Sequence, residues 1–385
     1  MTHEVELLSK KDIGQFQALV NHAFPGEKPF EKTWMHTSLD KYDRGNKHLG
    51  VREKGTVVSH VGIYPLKVRL PGALLKVAGV GAVATYEKCR GRGFMKSQLD
   101  FAEKLMQADK YDISWLAGER VRYGYFGWEN GGRLFKYCLT ERTTRGISTS
   151  GFTYKKYSGS DSDLKKIIKL HKKDGLGAER SYLDNKLCFG RWRRETLIAF
   201  RGKQAAAYVC LKKNTWVEDT GTVQEFGGGL PALKALFRYV VVLEKLKELD
   251  IFAPPFFNRY SKMLSEISSH ELLRNDGMIK IIDLKSTLKK FAGQMSLKLK
   301  GLKIKRTLIS FEIPELKQRA TLEFGKCVRV TDKAATLKIS LNRREMVRLL
   351  FGLSRLSDQY NLGKKYALLD LVLPLDLYFW RLETV

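Results

Sequence analysis

The sequence predicts a mixed α/β, α+β chain of three units. Three observations carry this. At 385 residues the chain is too long for one ordinary core, so two or three domains are expected. Strand-like and helical apolar patterns alternate throughout, with hairpins among them. The order strand, glycine loop, helix occurs twice, around residues 77–108 and again around 222–248.

Residues 10–24 place Ile13, Phe16, Leu19, Val20 and Phe24 at helical spacing. "HLGVREKGTVVSHVGIYPLKVRL" reads as a hairpin turning at Lys54-Gly55, with β-branched residues in its second arm. "VAGVGAVAT" is apolar and too short for a helix, which predicts a buried strand. "FMKSQLDFAEKLMQAD" predicts a helix with Met95, Leu99, Phe101, Ala102, Leu105 and Met106 as its stripe. "DISWLAG" is a further buried strand. This first unit is expected over 1–150.

Turn residues in "GFTYKKYSGSDS" mark a boundary, and the second unit is expected over 151–289. It opens on a helix, "DLKKIIKLHKKDG". A hairpin turning near Gly202-Lys203 comes next, then the second strand, glycine loop and helix. The third unit is expected over 290–385. Leucine and lysine alternate in "SLKLKGLKIKRTLISFEI", which predicts a two-stranded ribbon around Gly301 with a basic face. Such lysines either guard a sheet edge or bind nucleic acid. "ATLKISLNRREMVRLLFG" predicts a strand leading into an amphipathic helix, and the apolar end "LLDLVLPLDLYFWRLETV" is expected to pack.

Composition narrows the function. Hydrophobic residues make up 43% and charged residues 29%, a globular balance. Lys+Arg is 69 against Asp+Glu 41, a net of +28. That favours anionic partners: a polyphosphate cofactor, nucleic acid or an anionic membrane surface. Solubility alone would also account for it. Cys89, Cys138, Cys188, Cys210 and Cys327 show neither C-x-x-C nor Cys/His ligand spacing, so no disulfide framework and no metal site is expected. They suit a reducing, cytoplasmic setting. There is no apolar signal region and no run near the roughly 18 apolar residues of a membrane span.

Two glycine motifs compete as phosphate sites. Gly79-Val80-Gly81-Ala82-Val83-Ala84 matches G-x-G-x-x-A, but "VATYEK" continues as strand rather than opening a helix. The motif reads as glycines in a packed strand. Arg90-Gly91-Arg92-Gly93 lies after a strand and opens a helix. Free N–H groups at a helix start attract phosphate, glycines permit close approach, and arginines add charge-assisted contacts.

"GAVATYEKCRGRGFMKSQL" resembles the acetyl-CoA motif of the GCN5-related N-acetyltransferases, R/Q-x-x-G-x-G/A, through Arg90, Gly93 and Met95. Met95 departs from the usual small residue and resembles the "enhanced intracellular survival" branch. "LAGERVRYGYFGWENGG" is similar to the segment of that branch after its next strand. The resemblance implies tandem acetyltransferase-like domains and a sterol-carrier-like third domain, in a closed homo-oligomer. It implies that backbone amides of the loop (Arg90, Gly91, Arg92, Gly93, Phe94, Met95) hold the pyrophosphate of acetyl-CoA. Val83, Ala84 and Thr85 would pair with pantetheine. "QEFGGGLPAL" in the second unit has glycines without arginines, so that unit is expected to be cofactor-free. "ISLNRREMVRLLFG" and "DLYFWRLETV" are similar to the third domain.

The implied activity is acetyl transfer from acetyl-CoA to a primary amine on a small molecule or peptide, by direct attack on the thioester. Tyr123 matches the branch tyrosine that protonates the leaving thiolate; Tyr125 stands where the branch has arginine. The terminal carboxylate of Val385 is the implied base, with Glu119, His36 and His60 as side-chain alternatives. Phe24, Phe30 and Trp34 line the acceptor mouth or belong to the core. Multi-amine cations, which the branch acetylates, need an acidic cleft, and +28 sits badly with that. An aminoacyl-tRNA-dependent transferase of similar tandem fold and a nucleic-acid-binding protein on a retained fold are the competing readings.

Overall fold

Neighbours in sequence do not all stay neighbours in the sheets. The computed structural model describes residues 3–34, 45–191, 193–213, 217–256, 258–360 and 363–384. The chain divides into two compact units. One runs to Gly132 and takes in Asn275–Leu377; the other comprises Arg133–Arg274 and Tyr378–Thr384.

The first unit carries a seven-stranded sheet in the order Glu6–Leu7, Lys47–Glu53, Thr56–Leu70, Ala73–Thr85, Ile113–Leu116, Met278–Ile281, Glu129–Asn130. The hairpin turns at Lys54 and Gly55, both left-handed (φ 48° and 79°), the geometry that matches strand twist. Helix Ile13–Ala23 buries Phe16, Leu19 and Val20 against Val57, Tyr64 and Ala82. Helix Phe94–Ala108 buries Leu99, Ala102 and Met106, spaced for one helical face, against Ala78 and Val80. Each of the larger of these side chains contributes about 1.5–3 kcal/mol by leaving water. A four-stranded sheet, in the order Arg329–Thr331, Gln318–Phe324, Thr307–Ile313, Leu337–Ser340, completes the unit with helices Leu284–Lys298 and Arg343–Phe351.

The ribbon expected around Gly301 does not form. Residues up to Lys298 are helical and the next strand begins at Thr307. Leu284, Leu288, Phe291 and Met295 recur at helical spacing and are all buried, whereas Leu297 and Leu302 are exposed. The helix takes in the start of the first alternating arm, Leu297 and Lys298, and residues 299–306 enter neither helix nor strand.

The second unit is built on a sheet in the order His270–Arg274, Leu134–Leu139, Glu248–Ala253, Thr220–Gly228, Gln204–Lys213, Glu195–Arg201, Thr153–Lys156. Helix Leu230–Leu243 buries Leu233, Leu236, Phe237 and Val240 in its core. Strand Leu134–Leu139 thus pairs in the second sheet, although the sequence reading puts it before the boundary at 150. Met278–Ile281 pairs in the first sheet from beyond that boundary. Tyr378–Thr384 belongs to the second unit rather than to the expected stretch 290–385. Turn-rich composition marks where a chain bends; it carries no information about which sheet a buried strand will enter.

Candidate active site

The central feature of the first unit is a parting of two strands. Ala73–Thr85 pairs in parallel with Ile113–Leu116 only from Val77 to Gly79. Past Gly79 this pairing stops, and among the described residues one backbone edge of Val80–Thr85 has no strand partner. A cavity of about 440 Å³ opens beyond it. Val83, Ala84 and Thr85 line it from the strand, and the whole run Arg90–Met95 lines it from the loop. Ala23, Phe24, Cys89 and Arg122 complete the lining, which holds three arginines and, among the described residues, no carboxylate. That volume falls within the range of small-molecule sites.

The loop is built for an anion. Gly91 and Gly93 are left-handed (φ 76° and 85°), where a side chain would strain the backbone. Helix Phe94–Ala108 starts at Gly93 with no side-chain cap and no acidic residue in its first turn. Its first N–H groups therefore present a positive end.

The two loop arginines differ. Arg92 is bound in a fork by Glu53, lies over the Phe94 ring at 5.0 Å, and its carbonyl accepts from His3 Nε2 at 2.6 Å. Arg90 is more exposed, reaches the Thr85 carbonyl at 3.4 Å and stands 3.9 Å from Glu87. Arg90 is the readily available cation; Arg92 must exchange a carboxylate for a phosphate. Glu53→Gln frees Arg92, and we expect it to tighten binding of inorganic pyrophosphate, as a probe anion, about threefold, read by calorimetric titration.

The remaining expected site residues fall in different places. Tyr123 lies on the short helix Arg120–Gly124 and is buried, outside the cavity lining. Its ring packs so closely on Gly118 that a Cβ there would come within 2.4 Å. It shares a core cluster with Trp128, against which Val83 and Met95 pack. Burial pushes its phenol pKa up. Tyr125 is exposed. Glu119 caps the same helix, accepting from Val121 N (2.8 Å) and Arg122 N (2.9 Å), and these bonds hold its pKa down. A carboxylate so engaged is a poor base. Phe30 is core, in a cluster with Phe16 and Leu19, and Trp34 packs against that cluster; of the three aromatic residues Phe24 alone lines the cavity. Val385 and His36 lie outside the described residues. Arg122 and Cys89 were missed from sequence; Arg122 adjoins Tyr123, and only the fold brings it to the loop.

The second unit repeats the parting of strands but fills it. Thr220–Gly228 pairs with Glu248–Ala253 only from Thr220 to Val223. Tyr378 and Trp380 join Phe226, Phe252 and Tyr260 in one core cluster, with Tyr378 Oη donating to the Phe252 carbonyl at 3.0 Å. Tyr260 Oη accepts the Gly228 N–H at 3.1 Å, and Pro231 stands in the first turn of the next helix without an N–H to offer. Aromatic rings and a proline thus stand where the first unit presents open amides and arginines. Among the described residues Cys138, Glu248 and Asp250 stand close enough to share a metal. Asp250 is paired with Lys136 at 2.8 Å, and burial pushes the Cys138 thiol up, away from the thiolate a metal needs.

Residues 4–131 match the family model for the acetyltransferase (GNAT) domain. Comparison with curated proteins finds no match. Similar solved structures include a probable N-acyltransferase from Enterococcus faecalis V583, 19% identical, with a TM-score of 0.72 over 98% of each chain. A GCN5-related N-acetyltransferase from Anabaena variabilis is 12% identical, with a TM-score of 0.70 over 96% of each chain. Eis1 from Mycobacterium abscessus is 13% identical, with a TM-score of 0.60 over 91% of this chain and 90% of its own. At such identities the likeness speaks for the fold, and the matched domain speaks for the reaction class. The cavity, its glycine–arginine loop and the parted strands all lie inside the matched segment: residues 4–131 form a GCN5-related acetyltransferase domain, and the chain that carries it is an acetyltransferase.

Proposed function

We propose that this chain transfers the acetyl group of acetyl-CoA to a primary amine by direct attack on the thioester. The observation that carries this reading is the uncapped, acid-free helix start at Gly93, flanked by Arg90 and Arg92 in one cavity with the free edge of Val83–Thr85. The helix start suits a pyrophosphate and the strand edge suits an amide-bearing arm. Acetyl-CoA presents both. The thioester would lie near Val83, which lines the cavity on the unpaired stretch of strand that follows Gly79.

In this reading Tyr123 protonates the leaving thiolate. Its raised pKa keeps the phenol protonated at neutral pH, as a donor requires. Val83 and Met95, which line the cavity, pack against the cluster that holds it. Tyr123→Phe is expected to lower kcat about a hundredfold, a typical acid–base loss, with acetyl-CoA affinity unchanged. Val385 remains the base we propose, since Glu119 is engaged as a cap. The acceptor we favour is an amine-bearing small molecule or peptide of low positive charge, because the described lining has three arginines and no carboxylate.

The sterol-carrier-like character of the C-terminal stretch, a cytoplasmic location and a closed homo-oligomer belong to the same proposal. Packing of helix Leu284–Lys298 on strand Gln318–Phe324 supports the first, and among the described residues no helix is long and apolar enough to cross a membrane. The excess of cations leaves room for a further anionic partner. Release of free thiol from acetyl-CoA across a panel of primary amines tests the activity. Thiol release that depends on the amine supports it; none with any amine, beside transfer from aminoacyl-tRNA, would replace it with the tRNA-dependent reaction.

A further inference from the structure

Behind the parted strand stands a pair of buried histidines that the proposed chemistry leaves unused. His48 lies on Lys47–Glu53 and His60 on Thr56–Leu70. His60 Nδ1 is 2.8 Å from the Ala82 carbonyl, and His60 Nε2 is 3.0 Å from His48 Nδ1. A carbonyl can only accept, so His60 Nδ1 carries the proton. Its Nε2 then accepts from His48 Nδ1–H. Burial lowers both pKa values, to about 4 for His60 and about 2 for His48, so both rings are neutral. The pair is a directed chain of donors ending on one backbone oxygen.

That oxygen belongs to an unusual residue. His60 faces Ala84 and Gly62 faces Gly81, so Val61 stands opposite both Ala82 and Val83. This is a β-bulge, and Ala82 within it is left-handed at φ 50°, a conformation that disfavours alanine. Ala82 comes immediately before Val83, Ala84 and Thr85, the strand residues that line the cavity. A separate brace fixes the far end of that segment. Ser59 Oγ stands 2.6 Å from Gln98 Oε1 and 2.8 Å from Thr85 Oγ1, and Gln98 Nε2 donates to the Leu49 carbonyl at 2.8 Å. Val83–Thr85 is therefore held at one end by the serine–glutamine brace and at the other by the histidines.

We infer that His60, oriented by His48, is a positioning residue: it fixes the bulge at Ala82 and so aims the backbone of Val83–Thr85 at the pantetheine arm of the cofactor. The inference rests on the acetyl-CoA reading above. It separates two parts of one ligand, since the pyrophosphate meets the glycine loop and only the arm meets the strand.

The test compares acetyl-CoA with 3′-phosphoadenosine 5′-diphosphate, the fragment that lacks pantetheine, by calorimetric titration. His60→Leu removes the donor and is expected to weaken acetyl-CoA about tenfold while leaving the fragment unchanged. His60→Asn, whose amide can take the place of Nδ1–H, restores the affinity. Ala82→Gly, which makes the left-handed turn free of strain, suppresses the defect of His60→Leu. If Leu at 60 prevents folding, Asn against Gln gives the same contrast, because Gln carries its amide near Nε2 instead. Equal losses for both ligands, or no loss for either, would overturn the positioning role. Wild-type protein that binds neither ligand would instead sink the cofactor reading itself.

Discussion

Replacing Arg90 and Arg92 together by alanine is expected to weaken acetyl-CoA binding about a hundredfold and to leave the melting temperature nearly unchanged. Charge-assisted bonds to phosphate contribute about 1.5–3 kcal/mol each when the partner is lost. Two full contacts would exceed a hundredfold, but Arg92 already satisfies Glu53, so part of its gain is lost in breaking that pair. Arg90→Ala alone is expected to account for more of the loss than Arg92→Ala. Stability is spared because both side chains are about half exposed, and surface ion pairs contribute about 0–1 kcal/mol. Calorimetric titration and thermal melting of the three variants check the ranking.

The second large effect lies in the other unit and concerns folding. Arg180 is almost fully buried, with Nη2 on Glu225 at 2.7 Å and Nε 3.3 Å from Glu383. Tyr208 Oη donates to Glu225 at 2.7 Å, and Glu383 accepts from Ala178 N and Trp380 N at 3.0 and 2.9 Å. Arg180→Met removes the cation and strands two buried carboxyl groups. We expect a loss of about 3–5 kcal/mol, read as lost hydrogen-exchange protection of strand Thr220–Gly228.

The same cluster makes stability depend on pH. Burial pushes the Glu383 carboxyl up to about 7, with Arg180 opposing and Glu225 reinforcing. Between the ordinary value of 4.5 and 7 the folded state keeps a proton that the unfolded chain has released. Stability therefore falls as pH rises through that window. Against the cost of burial, Arg180 and His171 hold Glu225 down to about 2, so its contribution is lost only as pH falls below 4.5 toward that value. Glu383→Gln is expected to flatten the upper slope and leave the lower one, as read from denaturant midpoints across that pH range.

The fold class and the glycine–arginine turn into a helix were legible in the residues because each rests on local chemistry. Gly91 and Gly93, alternating with Arg90 and Arg92 and leading into an apolar stripe, specify a left-handed turn into a helix wherever that segment sits. Lys54-Gly55 likewise specifies its own hairpin turn. What local chemistry does not contain is the sheet a strand joins. Met278–Ile281 and Leu134–Leu139 are short and mostly apolar, each with one lysine, and nothing in their residues names the sheet they enter. The site was legible to the same extent. Its loop and strand are contiguous in sequence, but Arg92's partner Glu53 and the His48–His60–Ala82 chain depend on strand register. An isolated histidine in a sequence says nothing of whether it holds a proton for a substrate or for a backbone carbonyl.

The most direct measurement is the stoichiometry of acetyl-CoA binding to the wild-type chain, by calorimetry at two salt concentrations with free coenzyme A as competitor. One saturable site per chain, displaced by coenzyme A, is the predicted result: the first unit offers open amides and arginines, and the second fills its crevice with Tyr378 and Trp380. Two sites per chain would contradict the filled crevice. No saturable binding at either salt concentration would contradict the acetyl-CoA site itself.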